Sequence, residues 1–449
     1  MSRRRRPSAA VTIPLLTAAC LLGSTTEAAA LACGDVITED TTLEHDLLDC
    51  PGDGLVIGAD NVTLRLNGFM IDGTRTPAPQ RVASTRSIRE LVDDMRALQR
   101  QSDDFGIGVR SEGNDHINVI GPGIIRDFNS GVLMRLTTRG RISDITLLNN
   151  GISLNQDIVR ILVDNNTIIN DGIGAGVGPT SITEQILIIR NHVGRIIGLQ
   201  DAEGPQVQVF ANSVFGGPIF IDRDNGSVIN NNNVFGATTR QRDRAIVVQG
   251  FSDIIVSNNK TDGSIILPGG GVGVGVLMDS SIYLNLVQNA SVGIEISGGL
   301  VIDNMIEANR LINNNDQIRI RADGAGNIVR NNFCDPPDAD LPCSTDFDPG
   351  EVVDSDVDSV LDRDDECPDT DFQPAVVING IDTNIANMLN ERSGCTMMDR
   401  IHEAAVAAED RSDFIGAVAL LTRTWIDDDL IDEQDAGNIR GAASGTPVF

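Results

Sequence analysis

The chain has 449 residues, with 34 Lys and Arg against 64 Asp and Glu, a formal net charge of -30 and a pI near 4.3. So acidic a chain offers no general electrostatic attraction to nucleic acid or to an anionic membrane. An anionic polysaccharide can bind it only through local Arg clusters or bridging cations. One Trp and one Tyr also leave little of the aromatic surface on which sugars commonly stack.

The chain opens MSRRRRPSAAVTIPLLTAACLLGSTTEAAALAC, with four Arg, an apolar run and small residues ending Ala30-Leu31-Ala32. This pattern predicts a secretory signal over 1–32, cleaved before Cys33. The apolar run is too short for a bilayer span, and no other stretch of the chain is long and apolar enough for one. Ala18-Ala19-Cys20 is a poor lipoprotein signal and Ser2-Arg3-Arg4 a poor twin-Arg one, and both stay open. Export agrees with the cysteines. Without Cys20, six of the seven remain, spaced as local pairs: Cys33 with Cys50, Cys334 with Cys343, Cys367 with Cys395. That pairing is one of fifteen and rests on proximity. Zinc is the competing use, without a C-x-x-C or a His-bearing cluster to support it.

From residue 33 to about 335 the texture is short β-branched runs closed by Asn or Gly. The units NNGI, NNTI, RNHV, ANSV, NNNV, LNLV, DNMI and NNFC place Asn150, Asn166, Asn191, Asn212, Asn232, Asn285, Asn304 and Asn332 equivalently, with Asn259 a weaker match. Their mean spacing is about 23 residues, the length of one solenoid coil. In such a coil the inward side chains stack on those of the next turn and bury a core that no single repeat can close. Val159, Ile161 and Val163 are expected inward in one run, Val207 and Val209 in another. Asn suits the bends because it tolerates left-handed backbone and can bond its neighbours in stacked coils, so these positions read as turn and ladder chemistry rather than catalysis. A β-sandwich is the rival architecture.

The stretch CGDVITEDTTLEHDLLDCPGDGLVIGADNVTLRLNGFMIDG, residues 33–73, resembles the opening coils of right-handed parallel β-helix proteins, the pectin-lyase-like superfamily with its NosD-like, pectate lyase and polygalacturonase members. The resemblance implies an all-β parallel solenoid over 33–345, and it identifies a fold rather than a function. One segment breaks the pattern. SIRELVDDMRALQRQ, residues 87–101, carries a capping box at Ser87 and Glu90 and an apolar face of Ile88, Leu91, Val92, Met95 and Leu98, predicting a helical insert or end cap.

Residues 346–373 form an acidic segment, with DSDVDSVLDRDDECPDT at 354–370. A hard dication needs six to eight oxygens, and alternate inward residues supply them: Asp354, Asp356, Asp358, the Val360 carbonyl, Asp362 and Asp365 fall at the one, three, five, seven, nine, twelve spacing of calcium loops. With Cys367-Pro368 following, the segment resembles a thrombospondin type 3 repeat, in one copy. Ser359 stands where that family usually has Gly, so the turn carries a Cβ penalty. A solvated acidic linker is the plainer reading.

The remainder, 374–449, turns helical. Thr396 is the expected N-cap of one helix; a second starts near Ser412 with Phe414, Ala417, Leu421 and Trp425 on one stripe. The module is read as a small core that can also dock a protein partner.

Catalytic signals are sparse. Glycoside hydrolysis by the usual route needs two carboxylates flanking the bond, and Asp222 and Asp224 in FIDRDNG would share a strand face roughly 6.6 to 6.8 Å apart by the strand rise. Asn225-Gly226 makes the same stretch a turn candidate. Arg160, Arg190 and Arg195 are available as lyase bases, and His116 and His192 lie beside strand runs. Copper delivery lacks a Met or His cluster. Two readings follow. One is a secreted calcium-binding β-helix that binds or processes extracellular polysaccharide, as a lyase or glycoside hydrolase if it is an enzyme. The other is a non-catalytic surface or matrix protein.

Overall fold

The computed structural model describes residues 30–75, 106–176, 183–200, 207–224, 226–235, 244–250, 252–268, 276–337, 343–344, 352–390 and 392–445. The expected helical insert at 87–101 and all but the last three residues of the expected signal lie outside these residues.

Short strands recurring once per coil stack in register into one long parallel sheet. Leu55 lies opposite Val109 and Val109 opposite Val132, and the column continues through Ile152, Ile173, Ile197, Ile219, Ile246, Ile265 and Ile294 to Ile318. No side chain in this column is more than 3 % exposed. Branched aliphatic residues fill the interior because strands of successive coils lie only about 4.8 Å apart. A second set of parallel strands closes the other faces of the coil, among them Ile158–Asp164, Thr183–Ile189, Gln208–Phe210, Val228–Asn230, Ile255–Ser257 and Ser281–Tyr283. The chain is therefore a parallel β-helix, as its repeats predict, and the sandwich is excluded.

The alternation is shifted in one run. Val207, Val209, Ile161 and Val163 are buried inside, but Val159 is only half-buried and Ile158 takes the interior place. Arg160 at φ 58 breaks the two-residue period between them.

The asparagine ladder forms, with a changed membership. Asn166, Asn191, Asn212, Asn232, Asn259, Asn285, Asn309 and Asn332 are buried, and each amide from Asn166 to Asn309 donates to the carboxamide oxygen of the next at 2.9 to 3.1 Å. The same oxygen also accepts the backbone N–H of the preceding member, so one side chain closes the bends of two coils. Asn259 is a full member. Asn304 belongs to a separate short ladder with Ser280 and Asn327. Asn150 is buried apart from either, beside Gly131. The residue before each ladder Asn has positive φ: Asn165, Arg190, Ala211, Asn231, Asn258, Leu284, Ala308 and Asn331 lie between 51° and 57°. The corner demands the left-handed region whatever residue occupies it.

Three disulfides, Cys33–Cys50, Cys334–Cys343 and Cys367–Cys395, reproduce the expected pairing. Beyond the solenoid, a hairpin of Ala375–Ile378 and Ile381–Ala386 precedes three helices, α1 (Met397–Ala407), α2 (Arg411–Asp427) and α3 (Glu433–Ala443). Thr396 caps α1 in a capping box with Asp399; Asp410 and Asp432 cap the other two. Val418, Trp425, Met397, Met398 and Ile439 pack against Leu162, Leu187, Ile189, Phe210 and Val228 on the outer flank of the solenoid. The apolar stripe is thus spent within the chain. Polar bonds fix the register: Arg141 spans Asp164 and Asp382, Gln208 bonds Leu389 through both ends of its amide, and Arg139 and Arg160 reach Asp432.

Candidate functional site

The acidic segment is folded onto the same flank. Asn258 donates to Asp354 Oδ2 at 2.8 Å, Ser257 and Ser359 hydroxyls meet at 2.9 Å, Asn230 donates to the Val357 carbonyl at 2.6 Å, and the Tyr283 hydroxyl donates to the Ser359 carbonyl. Val352 and Leu361 pack on Tyr283 and Ala308. Asp354, Asp356 and Asp358 each offer an oxygen within 4.8 Å of the others. Asp365 joins them from the far side: a Cβ at Gly394 would overlap carboxylate oxygens of both Asp365 and Asp358, so the two converge on one spot that only glycine, at φ 72, can border. Asp362 is exposed, with its oxygens accepting from the Ser355 N–H and hydroxyl at 2.7 Å each. Val360 is buried, and its N–H donates to Asp358 Oδ1 at 2.6 Å.

No Lys or Arg among the described residues pairs with Asp354, Asp356, Asp358 or Asp365. Burial, reinforced by Asp356, Asp354 and Asp365, pushes the Asp358 carboxyl up to about 8 against the Val360 N–H that lowers it. Burial also raises Asp354 and Asp365. Such a donor set of hard oxygens, short of positive charge, fits a calcium-sized dication. The penalty expected at Ser359 is visible as φ 83, and Val357 shares it at φ 65.

A second site lies on the outer face of the long sheet. Asp222 and Asp224 both fall in the strand Ile219–Asp224, but Asp222 lies opposite Gln249 and Asp224 opposite the next residue, Gly250, so a bulge interrupts the regular backbone pairing between them on which the expected two-residue spacing relied. Asp222 is half-buried and stands in an outward row between Gln200 and Gln249, while Asn155 lies beside Arg135 farther along. Gln200 and Asn155 are 4 % and 7 % exposed, and Gln200 Nε2 and Asn155 Oδ1 have no hydrogen-bond partner among the described residues. Next to them Ser153, Gly174 and Gly198 leave a shallow groove bordered by Asn129 and Asp171. Burial raises the Asp171 carboxyl, with Arg195 and Arg75 opposing. Sequence reasoning missed Gln200 and Asn155, because an outward position in a strand carries no motif, and Asp171, a single acid in the corner between Thr167–Ile169 and Ile173–Ala175.

Arg160 and Arg190 are used elsewhere, bonding Gln185 and the Phe372 carbonyl where the helical module docks. The His192 ring lies tilted against Phe215 on the surface, with centroids 4.6 Å apart, and His116 sits between Asp115 and Asp435 at 3.4 and 3.7 Å.

The pairing of its strands defines the chain as a parallel β-helix protein. It matches no protein-family model and no curated protein. Solved structures similar to it include a hyperthermoactive exopolygalacturonase from Thermotoga maritima, at 11% identity and a TM-score of 0.33, over 66% of this chain and 84% of that one. Tailspike protein 3 of bacteriophage CBA120 is similar at 10% identity and a TM-score of 0.28, over 69% of this chain and 52% of that one. Likeness at this level says nothing about activity.

Proposed function

We propose that the protein is a secreted, calcium-stabilised β-helix that binds an extended extracellular polysaccharide along the outer face of its long sheet. The observation that carries this reading is the outward row around Asp222, in which Gln200 and Asn155 hold buried polar atoms without a partner among the described residues. Buried amides left unsatisfied are costly, and sugar hydroxyls are the donors and acceptors that would satisfy them. Coils stacked every 4.8 Å or so repeat these groups along an axis, as a polymer does. Three disulfides and the acidic loop suit an oxidising, calcium-containing medium. Calcium would be held by Asp354, Asp356, Asp358 and Asp365, where it supplies the positive charge that the buried carboxylates lack. The alternative, a non-catalytic matrix protein, is favoured by the scarcity of aromatics.

The test uses the chain from Cys33 onward. Thermal unfolding is followed with and without calcium against acidic and neutral polysaccharides, while release of reducing or unsaturated ends is measured. Stabilisation by one glycan class, weakened about tenfold in Gln200→Ala and Asp222→Asn, is the expected result. Release of ends would make the protein an enzyme and direct mutagenesis to Asp222 and Asp171. Inertness across the panel would leave the matrix reading.

A further inference from the structure

Between the solenoid flank and the helical module lies a cavity of about 750 Å³. That is the size of a small-molecule site, and junctions between packed units are where such sites occur. Its apolar lining comes from Ile255, Met388, Met397, Leu421, Trp425 and Leu430. Its carboxylates come from both walls: Asp253 and Asp279 from corners of successive coils, Asp428 from the C-cap of α2. Two arginines also line it. Arg400 is held by Glu366 and Glu403, which leaves Arg392 against three acids. The end of α2 adds to the imbalance, since its last turn has no basic residue and Asp427, Asp428 and Asp429 follow one another at its negative pole.

We propose that this cavity binds a small organic cation with an apolar body. The ammonium group sits among Asp253, Asp279 and Asp428, and the body lies against Trp425, Met388 and Met397. An indole attracts a cation in addition to excluding water from its apolar part, and thioethers adapt to the shape of the body, while the three carboxylates face solvent. An anion meets the three carboxylates and the helix end, so the site selects by charge as well as by size. The proposal is independent of polysaccharide binding on the sheet face.

The chain has a single Trp, so its emission reports on this cavity alone. The mature chain is titrated with benzyltrimethylammonium, with benzyl alcohol as the neutral body and with benzenesulfonate as the anion. A saturable change in emission with the cation is expected, at least roughly tenfold tighter than with either of the others. Asp253 and Asp279 stand at φ 56 and 50, where Asn is tolerated, so the Asp253→Asn, Asp279→Asn double variant is expected to keep its unfolding midpoint. It should bind the cation about tenfold more weakly. A flat titration, equal affinity for the neutral or anionic probe, or an unchanged affinity in the double variant overturns the proposal. The comparison of three probes on the unaltered chain decides the matter even if the double variant misfolds.

Discussion

Asp358→Asn is expected to act in opposite directions with and without calcium. In the metal-free chain the Asp358 carboxyl is raised from 3.8 to about 8, chiefly by burial. Below 3.8 both the folded and unfolded chains hold this proton. Between 3.8 and 8 the folded chain binds more protons, so stability falls as pH rises through that window and levels off above it. At about 1.4 kcal/mol per pH unit, the cost accumulated by pH 7 has a ceiling of about 4 kcal/mol. The Asn side chain keeps an acceptor for the Val360 N–H and carries no charge, so the variant should be the more stable protein in chelator at pH 7 and should lose most of the pH slope. With calcium the ordering reverses. A ligand at more than about a thousand times its dissociation constant stabilises by more than about 4.1 kcal/mol, which exceeds that ceiling, and the gain grows with pH because carboxylates must lose their protons to hold a metal. The variant should show little of that gain. The assay is urea unfolding of both proteins at pH 5 and pH 8, in chelator and in calcium. Equal midpoints for the unaltered chain at the two pH values in chelator, or a destabilised Asp358→Asn there, would refute the account of a charge-starved site.

Asn212→Ala removes three donated bonds, to Ile188, Phe210 and Asn232, and strips the Asn191 N–H and amide of their acceptor, all in the interior. At about 1–3 kcal/mol per unsatisfied group, partly relaxed, the loss should be on the order of 4 kcal/mol by urea unfolding, and a loss under about 1 kcal/mol would mean that the ladder is ornamental. Arg141→Met leaves Asp164 buried without its cation and should cost about 3–5 kcal/mol near neutral pH. That cost should shrink on acidification, because burial already holds the Asp164 carboxyl above its ordinary value. Val357→Asn should stabilise by about 1 kcal/mol, since a β-branched residue is replaced at φ 65 by one that accepts left-handed backbone, while the bond from Asn230 to the residue 357 carbonyl is kept. A drop in the thermal midpoint would contradict it.

The ladder shows where reading the sequence succeeds and where it stops. Asn-Asn doublets are legible because the left-handed corner residue and the ladder residue both favour Asn, as at Asn165-Asn166 and Asn231-Asn232. Where the corner is not Asn the β-branched residue two places on must carry the signal, as Val214 does after Ala211-Asn212; after Ala308-Asn309 that place holds Leu311, and nearby Asn304, in its own shorter ladder, stood in for it. Val159 misled for a related reason: the positive φ at Arg160 resets the inward period, and nothing in the letters announces it.

What the chain's own sequence determined is what recurs locally. One strand register per coil, the branched interior column, the nearest-neighbour disulfides and the Thr396 cap each depend on residues within about one repeat of one another, and repetition amplifies a weak signal. The acidic spacing at 354–365 is local too. Tertiary structure alone decided the rest. Outward apolar residues such as Leu162, Leu187 and Phe210 read like interior ones, because a strand buried on both faces has no alternation to betray a second layer, and so the docking of the helical module was invisible. The seating of Gly394 against the Asp358 and Asp365 carboxylates, and the cavity between Asp253, Asp279 and Trp425, join segments with no common period, the first where residues after the acidic loop return to it and the second where the module packs on the solenoid.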